Sequence, residues 1–272
     1  MRALVAAAAA SLVVACNSLF GIGELPPLAE SPDAGNVNAR DAMRDAAPRF
    51  CETNANSWFC ADFDQDEDVT VGFDPPSRVL QWTGGGGRLE ADTERFHSEP
   101  RAARMSTPVL LAKARALAHL QKTLPRDVRV FRVQAAVRIE TEGFSEDGAV
   151  YTIFQLAFVA SGGITISRGR QGTYLDTIDL TGTAPQTNQL LTEPMSVGRW
   201  YVLRLLVTLP TTAGTKGDIE VLVDGIPAGT VDIPFSLVSG TGDRALGIGM
   251  VGNGPMREAE MSFDDVRIEI ID

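Results

Sequence analysis

The chain has 272 residues, of which 44% are apolar, and carries a formal charge of −11 with an isoelectric point of about 4.7. An acidic chain lacks the positive field that holds phosphate backbones or anionic headgroups, so nucleic acid is excluded as a partner. The same charge serves solubility, and the length allows one large domain or two small ones.

Met1-Arg2 followed by the apolar run Ala3 to Ala15 has the form of a short positive region and a hydrophobic region. At about 13 residues the run is too short to span a bilayer, which needs roughly 20. Leu12-Val13-Val14-Ala15-Cys16 resembles the lipobox cut by the lipoprotein signal peptidase, where a small residue precedes the cysteine. Residues 1–15 are therefore expected to be a signal peptide and Cys16 the lipidated residue; an ordinary secretory signal cut elsewhere is the alternative. Residues 16–49 are rich in Ala, Asp, Pro, Asn and Gly and cannot bury enough apolar surface to offset their ordering entropy, so they read as a disordered tether. Two or more acyl chains on Cys16 would give stable anchoring, making the membrane a partner through the lipid. Asn17, where sorting signals that retain a lipoprotein carry aspartate, points to the outer membrane of a bacterial cell envelope.

With Cys16 lipidated, Cys51 and Cys60 remain as a pair. In an oxidising compartment such a pair reads as a disulfide worth about 2–3 kcal/mol. Zinc would need nearby His or Cys ligands, and the histidines are His97 and His119.

Residues 50–272 contain no Pro/Ser-rich seam and are expected to form one all-β domain. Phe131, Val133, Ala135, Val137 and Ile139 alternate with Arg132, Gln134, Arg138 and Glu140, the period-two pattern of a half-buried strand. Tyr201 to Leu209 and Ile219 to Val223 alternate likewise; with the turn signal Asp224-Gly225 and a strand over Thr230 to Ile233 they predict a β-meander from Trp200 to Ile233. Further strands are expected at Val150 to Ala160, Gly163 to Arg168, Leu246 to Val251 and Met261 to Ile271. Val109 to Leu124 has a helix-favouring composition and predicts a short helical turn followed by a strand. Many short strands in one domain imply a two-sheet antiparallel sandwich or jelly roll.

Phe59-Cys60-Ala61-Asp62-Phe63-Asp64, Ser98-Glu99-Pro100-Arg101-Ala102 after a Gly-rich turn, Trp200 opening a strand, Val223-Asp224-Gly225 and the closing Phe263-Asp264-Asp265-Val266 follow one another along the domain. In that order they resemble the concanavalin A-like lectin/glucanase superfamily, particularly its laminin-G-like members. The resemblance implies a jelly roll whose first and last strands pair. It implies no single function, because the fold carries lectins, hydrolases, lyases and adhesion modules.

Three constellations bear on chemistry. Glu90, Asp92 and Glu94 would line one face of a strand, as a retaining glycosidase requires, and resemble the Glu-x-Asp-x-Glu signature of laminarinase-like hydrolases. They lack the interleaved large apolar residues and the aromatic cleft of that family, and a solvated acidic strand is the plainer reading. Asp62, Asp64 and Asp66 resemble the start of an EF-hand loop, but Glu67 and Phe73 stand where glycine and glutamate are needed, which rejects it. The alternation slips by one residue at Asp264-Asp265, as a β-bulge would make it. If the first and last strands pair as the resemblance implies, Asp62 or Asp64 approaches Asp264 or Asp265, and a structural calcium would offset their repulsion. Exposed turn acids are the alternative. Among the aromatics, Trp200 and Tyr201 read as core and Trp58 lies inside the disulfide loop, leaving Trp82 and Tyr174 as glycan-binding candidates beside ordinary packing. No Ser/His/Asp arrangement, nucleophile elbow or phosphate loop is present.

The expectation is a non-catalytic envelope lipoprotein whose jelly roll binds a polysaccharide or an envelope protein. Alternatives are a glycoside hydrolase using Glu90 and Glu94, and a purely structural lipoprotein.

Overall fold

The computed structural model describes residues 49–64, 68–74, 86–111, 114–144, 150–158, 161–179, 187–191, 195–240, 242–253 and 255–272. Cys16, the signal and tether segments and Trp82 lie outside the described residues. Among the described residues, fourteen strands and two short helices follow in chain order. They are α1 (Phe50–Thr53), β1 (Phe59–Ala61), β2 (Arg88–Asp92), β3 (Ala102–Thr107), β4 (Arg115–Leu124), β5 (Val130–Thr141), β6 (Val150–Phe158) and β7 (Gly162–Gly169). There follow β8 (Gly172–Asp179), β9 (Thr187–Leu190), β10 (Trp200–Thr208), β11 (Lys216–Val223), β12 (Ile226–Pro234), α2 (Phe235–Val238), β13 (Arg244–Asn253) and β14 (Ala259–Ile270).

The strands form two antiparallel sheets that face each other across one core. The eight-stranded sheet has the order β12-β11-β10-β5-β14-β3-β2, with β1 also paired to β14; the six-stranded sheet has the order β4-β13-β6-β7-β8-β9. Alternation decides which residues enter the core. Phe131, Val133, Ala135, Val137 and Ile139 of β5 are at most 1% exposed, and Ile164, Ile166, Phe154, Leu156 and Ile248 meet them from the other sheet. Burying one such side chain contributes about 1.5–3 kcal/mol, so this double row dominates the favourable side of folding.

The meander forms as β10, β11 and β12, with Val207 opposite Ile219 and Ile219 opposite Val231. Its tight turn places Asp224 at φ 52° and Gly225 at φ 79°. Two successive positive φ angles match the twist of the flanking strands, and Asp-Gly tolerates them. The helical turn expected within Val109 to Leu124 is a correction: among the described residues, Leu110 forms a β-bridge to Met256 and Arg115 to Leu124 is strand. Ala116, Ala118 and Leu120 point alternately into the core and β4 pairs with β13 over ten residues, so tertiary burial overrides a weak helical propensity.

β14 lies inside the larger sheet and changes partner along its length. Its first half pairs with β3, ending at Phe263 opposite Ala103; its second half pairs with β1, beginning at Val266 opposite Ala61. The expected phase slip is present, as the register to β5 shifts between Asp264 and Arg267 with Asp265 at φ 50°. The disulfide Cys51–Cys60 ties α1 to β1 beside this junction.

Candidate functional site

At the β14 bulge the expected acidic residues come together. Asp62, Asp64, Asp264 and Asp265 are each at most 5% exposed. Asp264 is satisfied by main chain: its Oδ2 accepts from the N–H groups of His97 at 2.8 Å and Ser98 at 2.9 Å, and its Oδ1 from that of Asp265 at 2.8 Å. Burial, and next the Asp265 charge, push the Asp264 carboxyl well above the usual range, while those N–H groups pull it partly back. Asp265 accepts from the Ser98 hydroxyl at 2.7 Å and shares a 2.5 Å contact with His97 Nδ1, and the His97 ring packs edge-on to Trp200. His97 and Ser98 are the partners that sequence reading missed, since they precede β3 and reach Asp264 only through the fold.

Asp62 accepts from the Cys51 N–H at 3.2 Å and the Asp64 N–H at 3.4 Å. Asp64 differs from the other three: both its carboxylate oxygens are buried, and the Arg101 main chain is the donor that acts on them among the described residues. Burial and the neighbouring Asp62 raise its pKa to about 6, with the Arg101 main chain and Arg49 offsetting part of the rise. The four carboxylates do not converge as one ligand set; among the described residues no group of three Asp, Glu, His or Cys side chains is arranged to hold a metal ion.

The three acids of the hydrolase expectation occupy the edge strand β2 and the turn after it. β2 ends at Asp92, so Glu94 leaves the strand face. Asp92 is buried and its Oδ1 accepts from the N–H groups of Glu94 and Arg95, which is the work of a turn cap. Glu90 lies opposite Arg104, 3.8 Å from its guanidinium, within a lattice of Arg and Glu that includes Arg95, Glu140 and Glu260.

Tyr174 sits elsewhere, on the face of the six-stranded sheet that points away from the core. The register assembles two polar rows across that face. One runs Leu117, Val251, Thr152, Ser167, Tyr174, Leu190 from β4 to β9; the other runs Gln121, Gly247, Gln155, Thr165, Asp176, Asn188. Side chains of Ile164, Ile166 and Leu175 take the opposite side and enter the core. Ser167 lies 3.1 Å from Thr165, whose hydroxyl reaches Asp176 Oδ2 at 3.1 Å, and Asn188 Nδ2 donates to Asp176 Oδ1 at 2.6 Å. Burial raises the pKa of Asp176, and the hydrogen bonds from Thr165, Asn188 and Ser167 oppose the rise.

Two glycines shape this face. A Cβ on Gly247 would lie 1.8 Å from His119 Nε2, and one on Gly169 would lie 3.0 Å from the Tyr174 ring. Each aromatic side chain is thus laid down on bare backbone. His119 Nε2 is buried without a partner, and burial lowers the imidazole pKa to about 4. Thr152, Thr165 and Ser167 form a floor no more than 1% exposed, while His119, Gln121, Gln155 and Tyr174 around them are half-buried. The Thr152 hydroxyl also has no partner.

No protein-family model matches the chain. No curated protein matches it either. Solved structures do. An endo-β-1,4-glucuronan lyase from the fungus Trichoderma reesei superposes with a TM-score of 0.53 at 14% identity, over 71% of this chain and 92% of that one. The cellulose-induced protein Cip1 gives 0.51 at 16%, over 77% and 96%, and an alginate lyase, A1-II′, gives 0.50 at 10%, over 67% and 83%. What they share is the fold. At these identities the likeness establishes a two-sheet jelly-roll sandwich, the coarse level at which the concanavalin A-like expectation holds.

Proposed function

We propose that the protein is a bacterial envelope lipoprotein, anchored through Cys16 in the outer membrane, whose domain of residues 50–272 is a laminin-G-like module that binds a glycan. The observation that carries the reading is the pair of polar rows around Tyr174 and Asp176. Amides, hydroxyls and one carboxylate held in register from five of the six strands match the donors and acceptors of sugar hydroxyls, and Tyr174 offers a ring for stacking. Sugar-active proteins among the structural neighbours agree with this choice. The edge position of Glu90 and the turn-capping role of Asp92 favour no hydrolytic reading.

The test is binding of the full-length protein, purified in detergent, to a panel of polysaccharides by affinity electrophoresis, with released reducing ends recorded in parallel. Retardation without release, weakened at least tenfold in Tyr174→Ala, is the expected result; release abolished by Glu90→Gln would replace the reading with a hydrolase.

A calcium ion at Asp64 is a second proposal, favoured by the burial of its carboxylate beside that of Asp62. Calcium accepts main-chain and water oxygens as well as carboxylates, so Asp64 with Asp62 suffices as the charged part of a site. Calcium is expected to raise the thermal midpoint of wild-type protein and to leave Asp64→Asn unchanged; equal midpoints with calcium and with chelator would refute the site.

A further inference from the structure

The polar face also bears on what kind of glycan it takes, an inference that rests on the glycan-binding reading above. We infer that the outer face of the six-stranded sheet accommodates a neutral polysaccharide and rejects polyuronates.

The charge on the face decides this. A polyuronate brings a carboxylate with every sugar, and a site that desolvates it must supply cations or aligned donors in return. The two central rows, Leu117 to Leu190 and Gln121 to Asn188, contain no Lys or Arg, and Asp176 is the one formally charged side chain in them. The nearest candidates turn elsewhere. Lys122 projects to the core side, where its ammonium donates to the Gly72 carbonyl at 2.6 Å and lies 4.7 Å from the Phe59 ring. Arg168 projects to the core side too, paired with Glu142 over the Phe144 ring, and Arg244 donates to the Val128 carbonyl at 2.9 Å. Arg115 and Arg170 stand at the sheet's end, on the first residue of β4 and in the turn between β7 and β8. Among the described residues of the face, His119 is the further basic group, and burial lowers its pKa to about 4.

What the rows do offer suits hydroxyls. Asp176 fixes the direction of the Thr165 hydroxyl and the Asn188 amide, so the donors and acceptors are set before any ligand arrives. Adjacent strands lie about 4.8 Å apart, so a chain laid across six strands meets a new pair of side chains at about the rise of one sugar, over roughly 24 Å in total.

The deciding experiment compares the full-length protein on neutral β-glucan, xylan and mannan with alginate, pectate and polyglucuronate at matched chain length and low salt. Dissociation constants at least tenfold lower for one or more neutral polymers are expected. Asp176→Asn, which keeps the shape and the amide-compatible contacts, is expected to narrow that preference at least threefold by admitting the acidic polymers; its thermal midpoint confirms folding. Equal or tighter binding of polyuronates by the wild type overturns the inference while leaving the glycan-binding reading intact. Binding of neither class overturns both.

Discussion

Burial of the His119 ring against Gly247 keeps the imidazole neutral down to about pH 4, whereas in the unfolded chain it takes up a proton near 6.5. The unfolded state therefore binds the extra proton first as pH falls. Stability from this residue is complete above 6.5, is lost between 6.5 and about 4, and changes no further below that. The loss is on the order of 2 kcal/mol, allowing for the part of the ring that meets solvent. In His119→Gln the fall in thermal midpoint from pH 7 to pH 4 should be smaller than in wild type by roughly 4–8 °C, the shift expected for a domain of this size. An identical fall in both proteins would show that the imidazole is protonated in the folded state. Sequence reading found Tyr174 because an aromatic in a turn-flanked segment stands out. It did not find His119, Gln155 or Asn188 as its neighbours, since they come from three other strands that only pairing registers bring to one face, and it missed Asp176 because β8 was not predicted as a strand.

Among elements, β14 carries the most specific local signal and the largest local cost. Its bulge was legible because inward positions Met261 and Phe263 are out of phase with Val266, Ile268 and Ile270. What the bulge does was not legible, because Asp264 is fixed by His97 and Ser98 from a distant loop. Removing the carboxylate leaves three buried N–H groups unpaired, so Asp264→Ala should destabilise the domain by about 2–4 kcal/mol in denaturant titrations. Asp264→Asn retains an acceptor and relieves the repulsion from Asp265, and should cost less than half as much. If Asn and Ala prove equally damaging, the N–H contacts are not what holds the loop. Strands β5 and β11 were readable because each has one dry face and one largely polar face, and β10 because its inward row of Tyr201, Leu203, Leu205 and Val207 is unbroken. β8 escaped because two of its inward positions, Thr173 and Thr177, are polar, so its alternation of burial has no matching alternation of polarity. β4 was misread at its start because alanine and leucine favour helix wherever burial does not decide.

For the whole molecule, the proposed lipid on Cys16 would hold the acidic sandwich at a membrane surface through residues 16–49. The lipobox-like segment predicts that the protein partitions into the detergent phase of a Triton X-114 extraction and that Cys16→Ser moves it to the aqueous phase with its thermal midpoint unchanged. Detergent partitioning that survives Cys16→Ser would place the anchor elsewhere. The fold class could be read from composition and alternation because a two-sheet sandwich needs only strands with one apolar side. The location of the polar face could not, because it depends on which strands are neighbours and the sequence records only which are consecutive.

β14 follows in the chain every strand it joins, pairing with β5, β3 and β1 at once. A chain emerging N-terminus first therefore holds the larger sheet in three unconnected parts, β1, β2-β3 and β5-β10-β11-β12, until this segment appears. Order of synthesis and order of assembly are opposed. Long-range pairings of this kind form late and slowly. The nascent larger sheet thus stays open through most of its emergence and closes only when its middle strand arrives.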